Sequence, residues 1–485
     1  MSEVRTRFAP SPTGFMHIGN LRTALYSYLL AKSKNGKFVL RIEDTDQNRY
    51  VDGAVETIYS VLKDCGLNWD EGPDVGGSYG SYVQSERVAS GIYMEYAKKL
   101  IETDNAYYCF CQEAKTDLDT YKEECNYSTG LGYNGHCRSL SKEEIEGNLK
   151  AGKPFVIRQK MPNNIVVTYK DEVYGEISFN TEDLDDQVLI KQDGFPTYNF
   201  ANVVDDHMMN ITHVVRGCEY LSSTPKYVLL YKSFGWNIPK FVHLPLIMGE
   251  TDGVVSKLSK RNGSVTYDEF INKGYVKEAI INYIALLGWT PNGNQEFFDL
   301  NTMIKLFNVK NLNKSSAIFD YKKLDWINGK YIRKMSDEVY YNEAMKFIDL
   351  KTYECFSRDI LMSLKNKLNK FTEINVIIEP LFKYNRDFDL NYFVNEKIQA
   401  SLDSAVVVLS WLKNVVESDN IDCLNDNNYY EFINIKKAVF MTALRVVLTG
   451  ISFSMLDPII MLKVMDKDEI NKRIDYTIKR IVENK

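Results

Sequence analysis

The chain has 485 residues, enough for several domains, and its 45% hydrophobic share can fill their cores. A 26% charged share is ordinary for a soluble protein, and the net charge of −6 argues against a generic nucleic-acid coat while leaving room for a local basic face that binds RNA. No apolar run reaches the roughly 18 residues of a membrane span, and Met1–Arg7 leads into no apolar signal segment. The eight cysteines are spread beyond one cluster, as expected in a reducing cytosol rather than in a disulfide scaffold, so a cytoplasmic location is expected.

Taken in chain order, Val4–Ala9 reads as a short strand, and Pro10-Ser11-Pro12-Thr13-Gly14 then breaks regular structure. From Ile18 the apolar residues Leu21, Ala24, Leu25, Tyr28 and Leu29 follow helical spacing. Lys37–Ile42 predicts a second strand, ending in Glu43-Asp44-Thr45-Asp46. Strand, loop, helix and strand open a doubly wound parallel sheet, whose ligands sit at the carboxyl ends of the strands, where Ser11–His17 and Glu43 fall.

From about 84 to 200 the pattern changes to a cysteine cluster and strand-like runs such as Ile165–Tyr169, read as an insertion dividing the sheet domain. The sheet pattern returns at His213–Gly217 and Phe241–Leu246. Beyond Lys257 the chain turns helical, with Ile280, Ile281, Ile284 and Leu287 on one face. From 336 onward there is little strand signal, and one or two helical bundles are expected. The fold class predicted is α/β: a divided Rossmann-type doubly wound sheet with an inserted α+β domain, followed by all-α C-terminal domains. The expected divisions are 1–83 with 203–248, 84–202, 249–335 and 336–485.

Two distant segments carry chemistry. His17 and Gly19 stand at a helix start, where free N–H groups and the positive dipole end suit a phosphate; Gly19 has no Cβ to block a close approach. Lys257-Leu258-Ser259-Lys260-Arg261 lies in a loop between Gly253 and Gly263 that can close over a triphosphate. Its two ammonium groups, on Lys257 and Lys260, can neutralise charge on a departing pyrophosphate. Alone, the first segment would be a capped helix with a surface histidine and the second a solvated basic turn; paired in this order, they describe one divided ATP site.

The pair resembles the signatures of class I aminoacyl-tRNA synthetases. The resemblance extends to the glutamyl-tRNA synthetases through Arg7-Phe8-Ala9-Pro10-Ser11-Pro12-Thr13-Gly14, Arg41-Ile42-Glu43-Asp44-Thr45-Asp46, Tyr82–Arg87, Asp193–His207, Asn282–Trp289 and Leu324–Gly329. It covers roughly the first two-thirds of the chain. It implies ATP-dependent attachment of L-glutamate to the terminal ribose of tRNA(Glu) through a glutamyl-adenylate, with AMP and pyrophosphate released, Mg²⁺ accompanying the triphosphate, and tRNA bound before glutamate is activated. It implies that Arg7 and Arg216 face carboxylates, Arg7 that of the side chain, since a guanidinium fork fits carboxylate geometry. Ser11 and Glu43 would hold the α-ammonium, and Ala9, Tyr198 and Asn202 would complete the glutamate pocket. Thr13, His17, Gly19, Glu219, Tyr220, Leu221, Lys257, Leu258, Ser259 and Lys260 would hold ATP, with His17, Lys257 and Lys260 acting in catalysis. A monomer is the family expectation, and tRNA(Gln) is a further candidate partner.

Cys109, Cys111 and Cys137 are similar to part of the zinc pattern of some members. The histidine expected two residues after Cys137 is Ser139, so Cys125 is preferred as the fourth ligand over His136, with a metal-free thiol cluster as the alternative. Lysines and one arginine are dense at Lys305, Lys310, Lys314, Lys322, Lys323, Lys330, Arg333 and Lys334, and again at Lys365, Lys367 and Lys370; these can meet tRNA phosphates or form a solvated helix face. Three rival readings fit less well. A paralogue that glutamylates a tRNA base lacks the long helical region present here. A glutamine enzyme is disfavoured by Arg216, and a catalytically dead scaffold by the retained His17, Gly19, Lys257 and Lys260.

Overall fold

The computed structural model describes residues 3–111, 133, 135–259, 263, 265–291, 293, 295–349, 357–425 and 433–484. Twelve strands are present among them: β1 Arg5–Phe8, β2 Lys37–Leu40, β3 Ala106–Cys109, β4 Val156–Gln159, β5 Val166–Asp171, β6 Gly175–Asn180, β7 Val188–Ile190, β8 His213–Gly217, β9 Lys240–Leu244, β10 Ile247–Thr251, β11 Val254–Lys257 and β12 Ala317–Ile318. The chain divides into two units, Met1–Phe270 with Ile281–Asp320, and Ile271–Ile280 with Tyr321–Lys485.

The first unit is built on a six-stranded sheet in the order β2-β1-β8-β9-β5-β6. Pairings are parallel from β2 through to β5, and only the β5–β6 hairpin is antiparallel. The order reverses direction between β1 and β8, which makes the gap between their carboxyl ends the natural ligand position of an open α/β sheet.

The expected first helix runs Ile18–Ser33 and buries Leu21, Ala24, Leu25 and Leu29 of its predicted stripe; Tyr28 is half-buried, and Tyr26, Leu30 and Ala31 are buried as well, so the helix is covered on more than one side. The turn from that helix into β2 needs Gly36, because a Cβ there would sit 2.0 Å from the Val4 carbonyl oxygen. The strand expected over Phe241–Leu246 stops at Leu244, since Pro245 has no N–H for the ladder. The β5–β6 hairpin, from the segment read as an insertion, pairs onto the sheet edge at Asp171↔Phe241. The apolar core is continuous across that segment: Tyr93, Ala97 and Leu189 pack in one cluster with Phe200, Val204, Val214 and Phe241.

Two three-stranded sheets complete this unit, β3-β4-β7 and β11-β10-β12. In the second unit the described residues form helices and 3-10 turns with no strand. Its core includes Leu409, Leu412, Phe440, Leu444, Val447, Ile470 and Ile474. Arg473 is buried beneath it and donates to the carbonyl oxygens of Leu381, at 2.9 Å, and Leu448, closing helix ends that would otherwise be unsatisfied. Some cations of the dense basic stretches are already paired within this unit, Lys365 with Asp337 at 2.7 Å and Lys370 with Asp325 at 3.2 Å.

Candidate active site

The two signature segments meet. His17 caps the helix Ile18–Ser33, its Nδ1 accepting from the Gly19 N–H at 3.0 Å. The segment 265–267 beyond β11 is pinned against the same turn: Ile18 N–H donates to the Val265 carbonyl at 2.9 Å and Tyr267 N–H to the Met16 carbonyl at 3.0 Å, with His17 and Thr266 in an isolated bridge. The loop expected between Gly253 and Gly263 is in its first part a strand: Val254–Lys257 pairs with β10 as an antiparallel hairpin, so Lys257 ends β11 with its side chain exposed, and Leu258 after it is buried. Lys260 lies outside the described residues.

Burial, together with the nearby Lys257 cation, holds the His17 imidazole below its ordinary pKa, opposed in part by Glu269. His17 is therefore neutral near pH 7. With Nδ1 accepting from Gly19, its proton sits on Nε2, free to donate to a phosphate oxygen. The sign follows: a lowered folded pKa gives stability present above the unfolded value of about 6.5 and lost as the pH falls through the folded value. Charging measured against pH is expected to keep a constant ATP KM above about 6.5 and to weaken on acidification, whereas His17→Asn, which keeps the cap acceptor without a titrating ring, flattens that acid limb.

The carboxyl ends of β1, β2 and β8 bring the other predicted residues together. Arg7 is buried, its Nε donating to Asp206 at 3.0 Å. Arg41, fully buried, donates to Glu43 at 2.9 Å and pairs with Asp206 at 2.8 Å. Burial pushes the Glu43 carboxyl up from its usual range, only partly offset by Arg41 and Arg7. Glu43 N–H donates to the Pro10 carbonyl at 3.0 Å, which ties the strand end to the Pro-Ser-Pro loop. On that loop Ala9 is half-buried, and Ser11 and Thr13 are exposed.

Tyr198 begins the helix Tyr198–Met208, and buried Asn202 donates to its carbonyl at 2.6 Å. The Tyr198 phenol is pushed far up by burial, then by Glu43 and Tyr220, with Arg216 opposing, so these groups share one electrostatic environment. Its ring lies 5.4 Å from that of Tyr220. Glu219 is exposed and folds back over Gly217, where any Cβ would overlap its carboxylate. The Leu221 carbonyl accepts from Tyr169 at 3.1 Å.

Arg216 is buried among the rings of Tyr220, Tyr227 and Phe241, with Tyr227 at 4.6 Å. Its Nε and Nη2 are hydrogen-bonded, and Nη1 is buried with no partner. An unmet guanidinium donor inside a pocket is costly unless a ligand acceptor fills it. The arrangement can therefore hold an anion at Arg216.

Away from this pocket, the Cys109, Cys111 and Cys137 sulfurs lie within 4.8 Å of one another, close enough to bind one metal ion. Cys125 lies outside the described residues, and His136 is not among the clustered ligands. Sequence reasoning missed Tyr133, whose hydroxyl lies 3.2 Å from the Cys109 sulfur and 3.7 Å from that of Cys111. It also missed Asp205 and Asp206, although two acids following Val203-Val204 on a buried helix face were a visible signal. Asp205 accepts from Arg87 at 2.7 Å, Gln84 at 2.9 Å and Tyr93 at 2.9 Å.

Comparison with known proteins agrees with this geometry. Residues 3–326 match the model of the class I tRNA synthetase (E and Q) catalytic domain, and residues 325–478 match an anticodon binding domain. The chain is 48% identical to a glutamate–tRNA ligase of Clostridium novyi and 47% identical to one of Clostridium acetobutylicum, each alignment covering 99% of both chains. Solved structures of a glutamate tRNA ligase from Elizabethkingia meningosepticum, in complex with its amino acid, and of a glutamate-tRNA synthetase from Elizabethkingia anophelis superpose with TM-scores of 0.83 and 0.85. Both are 35% identical, over 99% of this chain and 100% of theirs. The strand order, the meeting of the His17 turn with the segment 265–267 and this full-length similarity lead to one assignment: the chain belongs to the glutamate–tRNA ligase family of class I tRNA synthetases.

Proposed function

We propose that the protein ligates L-glutamate to the terminal ribose of tRNA(Glu) through a glutamyl-adenylate, consuming ATP and releasing AMP and pyrophosphate. The observation that carries the reading is the buried Nη1 of Arg216, which has no hydrogen-bond partner and lies within electrostatic reach of Tyr198, itself influenced by Glu43. Arg7 and Arg216 receive the two substrate carboxylates, Arg7 that of the side chain. Ser11 and Glu43 take the α-ammonium; Ala9, Tyr198 and Asn202 close the pocket.

The glutamate α-carboxylate oxygen attacks the α-phosphorus of ATP in line, and the bond to pyrophosphate breaks as the anhydride forms. No protein nucleophile is needed, so positioning and charge stabilisation carry the step. Thr13, His17 and Gly19 hold the nucleotide from one side, Glu219, Tyr220 and Leu221 from another, and Lys257, Leu258, Ser259 and Lys260 close over the triphosphate. Mg²⁺, bound with the triphosphate, would supply further charge neutralisation. The ribose hydroxyl of tRNA then displaces AMP from the mixed anhydride.

Residues 1–83 and 203–248 form the catalytic body, 84–202 receive the tRNA acceptor end, 249–335 contact the stem, and 336–485 read the anticodon. The match of 325–478 to an anticodon binding domain supports the last assignment, and the basic residues at 305–334 supply phosphate contacts. Cys109, Cys111 and Cys137 hold a structural zinc, with Tyr133 placed to complete four ligands in place of the expected Cys125. Elemental analysis is expected to find one equivalent of zinc, lost in Cys137→Ala; a zinc-free, well-folded protein counts against it. The protein acts as a cytoplasmic monomer; no helix among the described residues is long and apolar enough to cross a membrane.

The testing experiment is charging of purified tRNA(Glu) and tRNA(Gln), separately, with labelled glutamate and ATP. Charging of the first alone identifies a discriminating enzyme, charging of both a relaxed one, and charging of neither removes the reading. In the same assay Lys257→Ala is expected to lower turnover by roughly 10²–10³-fold, the worth of one well-placed transition-state donor. Its melting curve stays unchanged, because the side chain is exposed. Near-normal turnover would take the loop out of the mechanism.

A further inference from the structure

The glutamate reading leaves open what aims Arg216, and the strands beside it supply an answer. Arg216 on β8 stands in register with His243 on the neighbouring β9, so both side chains rise from the same level of the sheet. Arg216 Nε donates to His243 Nε2 at 3.1 Å, and Nη2 donates to the Thr224 hydroxyl at 2.7 Å. The hydroxyl in turn donates to the Tyr220 carbonyl at 2.7 Å. One strand further, at the end of β5, Asp171 Oδ2 lies 2.6 Å from His243 Nδ1. The other Asp171 oxygen accepts from the N–H groups of Val173 and Tyr174 at 2.9 and 2.8 Å, and His243 and Asp171 are both wholly buried.

This chain of bonds has one consistent protonation. The Asp171 carboxylate can only accept, so His243 must carry its proton on Nδ1, which leaves Nε2 as an acceptor for the Arg216 Nε–H. Were Nε2 protonated, two donors would face each other across 3.1 Å. Burial, the largest influence on His243, disfavours the imidazolium, with Arg216 adding to that effect and Asp171 opposing it.

Arg216 thus differs from its neighbours. Arg7 and Arg41 are each ion-paired with Asp206. The inner nitrogens of Arg216 meet an imidazole nitrogen and a hydroxyl, both neutral, and its outer Nη1 meets nothing. We propose that Asp171 and His243 form a positioning relay across three adjacent strands: Asp171 fixes the His243 tautomer, and His243 fixes the Arg216 plane while leaving its charge for the substrate carboxylate. The proposal rests on the reading of Arg216 as a glutamate-binding residue.

The test is steady-state charging of tRNA(Glu) by the full-length protein, with glutamate and ATP KM measured separately. His243→Leu is expected to raise the glutamate KM by about tenfold to a hundredfold, the worth of one hydrogen bond to a charged group, while the ATP KM stays within about twofold. His243→Gln, whose Oε1 stands where Nε2 was, is expected to recover most of that loss, a result that a purely structural role of the ring would not give. Should His243→Leu fail to fold, Asp171→Asn serves. Its amide donates to Nδ1, turns the tautomer over and points Nε2–H at Arg216 without a change in volume, so the glutamate KM rises in the same way. A glutamate KM unchanged in these variants, no recovery in His243→Gln, or an equal rise in ATP KM overturns the relay. Arg216→Ala separates the two failures: if it too leaves glutamate saturation unchanged, the glutamate reading of Arg216 itself falls.

Discussion

Arg216→Ala is expected to lose roughly 10²–10³-fold in kcat/KM for glutamate, about 3–4 kcal/mol, within the range for removing one partner of a buried charge pair. Three observations set the size. The guanidinium is nearly inaccessible to water, so its attraction for a carboxylate is only weakly screened. Its inner nitrogens are already held by His243 and Thr224, so no ordering cost falls on the substrate complex. The remaining donor, Nη1, has no protein partner to compete with the ligand. Arg216→Lys is expected to recover little, because an ammonium cannot bond His243, Thr224 and a carboxylate in one plane. Folding is spared in the alanine variant, since removal of Arg216 strands no carboxylate. A melting curve beside the glutamate titration checks both halves; a wild-type glutamate kcat/KM would remove Arg216 from the pocket.

Asp206→Ala has the opposite profile, with an expected stability loss of about 3–5 kcal/mol, the usual cost of breaking a buried ion pair. Asp206 is the carboxylate to which both Arg7 and Arg41 are bonded, and all three are buried. Without it two guanidiniums repel across a dry interior, with Glu43 left to Arg41. Burial alone would push the Asp206 carboxyl up, but Arg7 and Arg41 outweigh it and hold the group below its usual range. Its contribution is therefore present above the unfolded value of about 3.9 and is lost as the pH falls through the lower folded value. Chemical unfolding followed on the first unit is expected to show the loss at pH 7, with a weakened acid dependence in Asp206→Asn. An unchanged midpoint in Asp206→Ala would show that water or a shifted neighbour satisfies both arginines.

Lys257 and His17 show how far sequence reading reached. Apolar spacing located the helix Ile18–Ser33, and the Pro-Ser-Pro loop marked the end of β1. The two signature segments are legible as a pair because each carries its residues consecutively, and the structure brings the His17 turn against residues 265–267. The pattern of 84–200 announced a change of structure, yet it concealed that β5 and β6 join the main sheet. The thiol cluster was legible in Cys109, Cys111 and Cys137, whereas Tyr133 resembled any other aromatic until its hydroxyl was placed among the sulfurs.

By itself, then, the sequence determined what is local: the strand–loop–helix opening, the helix start at His17 and the basic segment at Lys257. Backbone sterics and side-chain periodicity act between near neighbours, and they leave their record in consecutive residues. Only the tertiary structure decided the partners. Arg7 and Asp206 are 199 residues apart, and His243 and Asp171 are 72 apart. No periodicity links such pairs; the register of β8, β9 and β5 does, and with it the difference between Arg7, which is ion-paired with Asp206, and Arg216, whose Nη1 has no hydrogen-bond partner.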